Sequence, residues 1–279
     1  MFPSYLLALR EGLEIALMIG IVLGALKKIN QPDFSKAVWL GAGSAAVVSL
    51  ISALGINAAG AVFEGTAEEI FEGLTMLLAA GVLTWMIFWM QRQTHLLKPA
   101  LEKEVQQAAA QNSALALFAL AFFAVVREGI ELALFLTAAS MATSSQQTII
   151  GALLGLGTAA LLGYLLFAST MRLNLRRFFQ VTSVLLIFFA AGLVAHGVHE
   201  LIEASWFPAG IEHVWDINHI LDESSTLGSM LIALFGYNSN PALTEVFAYL
   251  AYLAFVFFGL RWRSKSLPII QTAENSRGV

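Results

Sequence analysis

Cysteine is absent from this sequence and charge is scarce, since only 12% of its 279 residues are charged. The absence of cysteine excludes disulfide bridges and thiolate metal sites, which argues against a carrier of soft metals such as Cu(I). A soluble domain of this length needs more charge on its surface, and 58% of these residues are hydrophobic. The net charge of −4 gives no reason to expect a nucleic acid as a partner. The composition therefore predicts a protein that lies in a lipid bilayer.

Seven stretches are apolar and long enough to cross a hydrocarbon core of about 30 Å as helices of roughly 20 residues. They lie at 4–26, 37–60, 72–91, 114–140, 148–170, 178–202 and 243–262. The segment 225–237 is too short to span and is predicted to be re-entrant or interfacial. We therefore predict an all-α integral membrane protein with seven transmembrane helices.

The basic residues predict the orientation of these spans. All but two of the 15 lysines and arginines follow spans 1, 3, 5 and 7, and the opposite loops and the N-terminus contain none. By the positive-inside rule, the N-terminus is extracytoplasmic and the C-terminus cytoplasmic in a multi-pass protein of the cell (inner) membrane. Four tryptophans near the predicted cytoplasmic ends are placed where an aromatic belt lies: Trp39, Trp85, Trp89 and Trp262.

The two remaining arginines belong to a motif that occurs twice. Residues 10–17 read Arg-Glu-Gly-Leu-Glu-Ile-Ala-Leu, and residues 127–134 read Arg-Glu-Gly-Ile-Glu-Leu-Ala-Leu. Each copy opens a block of three spans, and an odd number of spans inverts the second block relative to the first, as in many secondary transporters. The predicted organisation is a first three-helix repeat (1–92), a cytoplasmic linker (93–113), a second three-helix repeat (114–203), an extracytoplasmic loop (204–242), a seventh helix (243–263) and a cytoplasmic tail (264–279).

The motifs place six charges inside predicted spans, at a cost on the order of 15–20 kcal/mol if they were unpaired. These charges must therefore be paired or face a wet path. Helical spacing puts each arginine beside the second glutamate of its own motif, and four glutamates against two arginines leave a charge of −2, which attracts a cation. Carboxylate oxygens favour hard or borderline metals such as iron and manganese. We predict Glu11, Glu14, Glu128 and Glu131 as metal ligands, with Arg10 and Arg127 as their charge partners.

The glycines beside these carboxylates, Gly12 and Gly129, are predicted to let a partner helix approach closely. An alternative interpretation of the whole motif is that its arginines and glutamates only neutralise one another within the bundle.

A second group of acidic and histidine residues lies at the predicted outer face: Glu68, Glu69, Glu72, His196, His199, Glu200 and Glu203. The last four follow the spacing of a single helical face. Their negative potential would concentrate cations, so we predict an extracytoplasmic vestibule where ions enter. The alternative is a solvated acidic loop followed by an ordinary helix end.

These features resemble the high-affinity iron permease family, the oxidase-dependent iron transporters. The resemblance rests on the two Arg-Glu-Gly-x-Glu motifs, and the segments 70–73 and 83–90 are similar to the bacterial branch in the Efe iron-uptake system. It implies a fold of seven helices, motif glutamates as iron ligands, and passage of Fe²⁺ or Fe³⁺ through the plasma membrane into the cytoplasm. It also implies extracytoplasmic partners that oxidise or deliver iron, namely cupredoxin-like and haem-peroxidase components. Iron is then the transported substrate, and no cofactor is permanently bound.

Two other functions compete with iron transport. The same site would suit another divalent metal, such as manganese or lead. A membrane haem or metal enzyme is disfavoured because the histidines lack the spacing that a zinc or haem site needs. The run His199-Glu200-Leu201-Ile202-Glu203 lacks the second histidine of the zinc motif His-Glu-x-x-His, and two histidines three apart on one helix do not ligate opposite faces of one haem. We therefore expect a transporter and not an enzyme.

Overall fold

The computed structural model of the protein describes residues 1–93, 97–168, 174–211, 214–219, 225, 228, 231–232 and 235–265. Within these residues the regular structure is helical. The α-helices are α1 (Phe2–Lys28), α2 (Ser35–Gly60), α3 (Thr66–Gln93), α4 (Leu97–Ala110), α5 (Ala114–Ala142), α6 (Ser145–Ala168), α7 (Leu175–Glu203) and α8 (Leu243–Lys265), with a short 3-10 helix at Pro32–Phe34.

Each of the seven predicted apolar stretches forms a helix. Five of them, α2, α3, α6, α7 and α8, are long enough to cross a membrane and have a mean hydropathy of 1.8 to 2.2 over their most apolar part. The other two, α1 and α5, contain 27 and 29 residues and carry the motif charges. The chain is therefore a multi-pass membrane protein.

The helix ends differ from the predicted boundaries mainly at α3, which begins six residues before the apolar stretch. Glu68 and Glu69 lie in its first turn, where negative side chains interact favourably with the positive end of the helix dipole. A search for apolar runs overlooks a polar turn of this kind, although it is part of the same helix.

The segment 93–113, which was predicted as a linker, contains the helix α4. Its side chains at Lys103 and Glu104 are exposed, whereas Val105, Ala108 and Ala109 are buried where α4 packs on α1 and α5. The prediction missed this helix because it has 14 residues and only one apolar face, so it does not resemble a span. Six of the 13 residues of the predicted re-entrant segment 225–237, and all but the first two of the tail 264–279, lie outside the described residues.

The two motif helices occupy the middle of the bundle. Helix α1 packs on α6, α5 and α4, and helix α5 packs in addition on α2 and α3. Helix α3 lies along α7, and α7 also contacts α8. The two helices that carry the motif charges therefore each contact several other helices of the bundle.

Two apolar cores flank the motifs along α1 and α5. In one core, Leu7 near the start of α1 clusters with Phe135 near the end of α5. In the other, Ile19 in the second half of α1 clusters with Leu117 at the start of α5. The two helices therefore run antiparallel, and the charged residues at 10–14 and 127–131 lie between the two cores.

The outer surface of the bundle is apolar. On α2, the side chains of Leu50, Ile51 and Leu54 are 61–62% exposed. A row of large exposed apolar side chains is unfavourable in water and suits contact with lipid chains. Trp39, Trp85 and Trp262 are exposed as well.

Candidate metal site

The motif glycines lie at close contacts between helices. A Cβ atom on Gly12 would lie 2.7 Å from the Cβ atom of Ala159 in α6, and a Cβ atom on Gly129 would overlap the side chain of Ser49 in α2. Only glycine allows the backbone to approach this closely without a rearrangement. Each motif helix thus packs tightly on the middle helix of the other three-helix block, and the predicted role of the two glycines is confirmed.

Both arginines form ion pairs within their own motif. The Nε atom of Arg10 lies 3.4 Å from Oε1 of Glu14, and Nη1 of Arg10 lies 3.7 Å from Oε1 of Glu11. In the second copy, Nε of Arg127 donates a hydrogen bond of 3.1 Å to Oε1 of Glu131 and lies 3.8 Å from Oε1 of Glu128. The pairing of each arginine with the glutamate four residues later is as the motif spacing predicted.

Three of the four motif glutamates converge. Glu11, Glu128 and Glu131 each offer one carboxylate oxygen, and these three oxygens lie within 4.8 Å of one another. Glu11 is 0% exposed and Glu128 is 4% exposed. Glu14 is not a member of this group, which we call the carboxylate triplet. The triplet therefore combines one carboxylate from the first motif with two from the second.

Several carboxylate oxygens in this region lack a hydrogen bond. Both oxygens of Glu11, and one oxygen each of Glu14, Glu128 and Glu131, are buried without a hydrogen-bond partner among the described residues. Buried acceptors without partners are costly, more so when they are charged. A cation between the carboxylates would satisfy the oxygens of Glu11, Glu128 and Glu131, so the arrangement can hold a metal ion.

The two motifs differ in the surroundings of their arginines. The Arg10 side chain is 0% exposed, whereas the Arg127 side chain is 43% exposed. The guanidinium of Arg127 lies over the ring of Trp89, 4.3 Å from the ring centroid. The sequence predicts Trp89 only as a member of the aromatic belt. Its contact with Arg127 joins α3 to α5, and no sequence spacing predicts a contact between residues that lie so far apart in the chain.

The predicted outer residues are brought together where α3 crosses α7. The helices touch at glycines, because a Cβ atom on Gly73 would lie 2.8 Å from the carbonyl oxygen of Gly197. Beside this contact, Glu200 interacts electrostatically with Glu72 and Glu69. Glu68 is exposed in the first turn of α3. Among the described residues, no three of these outer side chains bring ligand atoms as close together as the triplet does.

The two outer histidines have different contacts. Nδ1 of His199 lies 2.9 Å from Oε1 of Glu245, and its Nε2 lies 3.4 Å from Oε1 of Glu203. Nδ1 of His196 lies 3.1 Å from the carbonyl oxygen of Gly192 in its own helix. His199 therefore connects α7 to α8 through Nδ1, whereas the contact of its Nε2 with Glu203 lies within α7.

Glu245 lies beside the predicted outer residue His199, and the sequence pattern did not reveal its role. It is 3% exposed and accepts hydrogen bonds from the side chain of Asn238 at 2.9 Å and from the backbone of Ala242 at 3.1 Å. One feature of the sequence could have indicated its role. A single carboxylate lies just inside the start of the last apolar stretch, and a charge buried there needs a partner.

Residues 1–265 match the iron permease FTR1 family. Among curated relatives, the ferrous iron permease EfeU of Escherichia coli O157:H7 is 36% identical over 264 residues, which are 93% of this chain and 96% of that protein. The ferrous iron permease EfeU of Yersinia pestis is 35% identical over 277 residues, which are 98% of each chain. No solved structure matches the chain. The resemblance to iron permeases is confirmed over nearly the whole sequence, and the chain belongs to the iron permease FTR1 family.

Proposed function

We propose that this protein is a permease that carries iron ions across the cell membrane into the cytoplasm, along a path lined by its two Arg-Glu-Gly-x-Glu motifs. The observation that carries the proposal is the carboxylate triplet, with oxygens of Glu11, Glu128 and Glu131 within 4.8 Å of one another. Two oxygens on opposite sides of an ion with bonds of about 2.1–2.4 Å lie about 4.2–4.8 Å apart. The spacing of the three oxygens, at most 4.8 Å, is therefore compatible with one ion bound by all three carboxylates.

The charge of the site favours a divalent cation. Four motif glutamates and two motif arginines leave −2, which one Fe²⁺ ion balances. A ligand set made only of carboxylates suits hard or borderline metals. Relatives of the chain carry the name ferrous iron permease, so Fe²⁺ is the first ion that we assign, and Fe³⁺, manganese and lead are the competitors to test.

We also propose seven transmembrane helices, with α1–α3 and α5–α7 as inverted repeats and α8 as the seventh. The helix partners support this arrangement, since α1 packs on α6, α2 packs on α5, and α3 packs on α7. A two-fold axis in the membrane plane produces this exchange of partners, and transporters with such an axis bind their substrate where the repeats meet. Helices α1 and α5 then cross the bilayer with their charges paired and enclosed between the two apolar cores.

In the proposed orientation the N-terminus is extracytoplasmic and the C-terminus cytoplasmic, because the lysines and arginines outside the motifs follow spans 1, 3, 5 and 7. The outer residues at the α3–α7 crossing then face the extracytoplasmic side. Their looser arrangement and excess of carboxylates suit a vestibule that gathers cations without holding them tightly. We expect iron to reach this vestibule from extracytoplasmic proteins that oxidise or deliver it.

Uptake of radiolabelled Fe²⁺ by iron-starved cells that lack other iron importers tests the proposal. Glu128→Gln removes one ligand charge and keeps the shape of the side chain, so we expect uptake to fall to the level of cells without the protein. Glu104→Gln is the matched control because Glu104 is exposed on α4, and its uptake should equal that of the wild type. Wild-type uptake by Glu128→Gln, at an equal amount of protein in the membrane, would refute the proposed path. An excess of Mn²⁺ in the same assay identifies the preferred cargo.

A further inference from the structure

The two motif arginines occupy the same position of a repeated sequence but not the same environment. Arg10 is fully buried and pairs with Glu14 at 3.4 Å, which lies outside the triplet, and with the triplet member Glu11 at 3.7 Å. Arg127 is 43% exposed, and its nearest carboxylate is that of Glu131 at 3.1 Å, which lies within the triplet. Arg127 therefore has room to move and shares a carboxylate with the site of the metal ion, whereas Arg10 is enclosed.

A guanidinium and a metal ion compete for the same carboxylate charge. Arg127 contacts both triplet members of its own motif, Glu131 at 3.1 Å and Glu128 at 3.8 Å. A cation that binds to the triplet repels Arg127 and replaces part of these ion pairs. The metal ion must displace Arg127 from these carboxylates in order to bind. A contact that stabilises Arg127 in its present position therefore weakens metal binding by the same factor.

The side chain that stabilises this position is Trp89. Its ring lies under the guanidinium of Arg127, with 4.3 Å between the guanidinium carbon and the ring centroid, which is the geometry of a cation–π contact. Trp89 also lies near the end of the apolar stretch 72–91 of α3. In the proposed orientation this is the cytoplasmic end, so Arg127 extends from the triplet towards the side on which the ion is released.

We infer that Trp89 is a positioning residue that holds Arg127 against Glu131 and thereby keeps metal binding weak enough for release into the cytoplasm. The inference rests on the proposed function. A cation–π contact changes an equilibrium by roughly two- to thirty-fold. Removing the aromatic ring should therefore tighten metal binding by a factor in this range and slow the release step.

Binding of Fe²⁺ to the purified full-length protein in detergent, measured by anaerobic equilibrium dialysis, tests the inference. We expect Trp89→Leu to bind Fe²⁺ roughly two- to thirty-fold more tightly than the wild type, and Trp89→Phe to show a smaller gain because phenylalanine keeps a weaker aromatic face. Trp85→Leu is the matched control, since Trp85 lies one helical turn earlier and is 70% exposed. Its affinity should be unchanged. General damage to the fold does not produce tighter binding, so a gain in affinity separates positioning from a merely structural role.

The inference is overturned if Trp89→Leu binds Fe²⁺ no more tightly than the wild type, or if Trp85→Leu shows the same gain. If Trp89→Leu does not fold, Trp89→Phe decides, and an unchanged affinity overturns the inference. A wild-type protein that binds no Fe²⁺ overturns the proposed function itself. Wild-type binding without an effect of Trp89 overturns only the role of the tryptophan.

Discussion

Glu14 and Glu131 hold equivalent positions in the two motifs, and both pair with the arginine four residues earlier. Only Glu131 contributes an oxygen to the carboxylate triplet. The first motif therefore supplies one carboxylate of the triplet, Glu11, and the second supplies two. In the first motif Glu14 serves mainly to neutralise Arg10, which is fully buried and needs a partner of opposite charge.

This difference predicts unequal effects of the same substitution. Glu131→Gln removes a ligand charge, whereas Glu14→Gln changes a residue beside the ligands. Residues that support a ligand typically contribute about 10- to 100-fold to metal affinity, so we expect a loss of this size for Glu14→Gln and a larger loss for Glu131→Gln. Equilibrium dialysis with Fe²⁺ measures both variants. A larger loss for Glu14→Gln would contradict the assignment of ligands.

Sequence spacing was sufficient for the contacts within one helix. It predicted the pairs Arg10–Glu14 and Arg127–Glu131, because the α-helix fixes which side chains lie one turn apart. Sequence spacing did not distinguish Glu14 from the three converging glutamates. Which glutamates converge depends on the crossing of α1 and α5 and on the faces that these helices turn towards each other. The contact of Arg127 with Trp89 was unpredictable for the same reason.

At the scale of the elements, the motif helices are positioned by close contacts at Gly12 and Gly129. Gly129 faces Ser49 of α2, whose hydroxyl donates a hydrogen bond of 2.9 Å to the carbonyl oxygen of Ala45 in its own helix. A methyl group at residue 129 has no space unless α2 moves away from α5. The distance between these helices therefore depends on the pair formed by residues 49 and 129.

Gly129→Ala should lower the free energy of unfolding by about 1–3 kcal/mol, as overpacking does in tight interiors. Ser49→Gly removes the atoms that the new methyl group meets, so the double variant should be more stable than the sum of the single effects predicts. Unfolding by titration with SDS measures all three variants. Gly157→Ala is the control, because a Cβ atom there has nothing within 4 Å. Additive effects at residues 49 and 129 would contradict the close contact.

The apolar pattern predicted seven of the eight described helices, but not the elements that depend on polar residues. Helix α4 is short and half polar, and the first turn of α3 is acidic, so neither has the signal of a membrane span. The anchoring of α8 through Glu245 and His199 joins residues that no local pattern connects. The apolar pattern reveals which segments form long helices, whereas tertiary contacts determine where the polar residues at the helix ends pack.

At the scale of the whole molecule, two apolar cores enclose a charged centre. Leu7 and Phe135 belong to one core, and Ile19 and Leu117 belong to the other. Between them lie two arginines and four glutamates, an arrangement that leaves excess negative charge away from water. A charge at this depth is costly unless it is compensated, and in the proposed function a transported cation supplies the compensation.

The shared site makes a prediction about the number of bound ions, which equilibrium dialysis of the purified protein with Fe²⁺ measures most directly. If one ion is held by both repeats at once, the wild type binds one tight Fe²⁺ ion per chain. Glu11→Gln in the first repeat and Glu128→Gln in the second should then each abolish that same ion. Two tight ions in the wild type, with one remaining in each variant, would show instead that each motif binds its own metal and would contradict a site formed jointly by the two repeats.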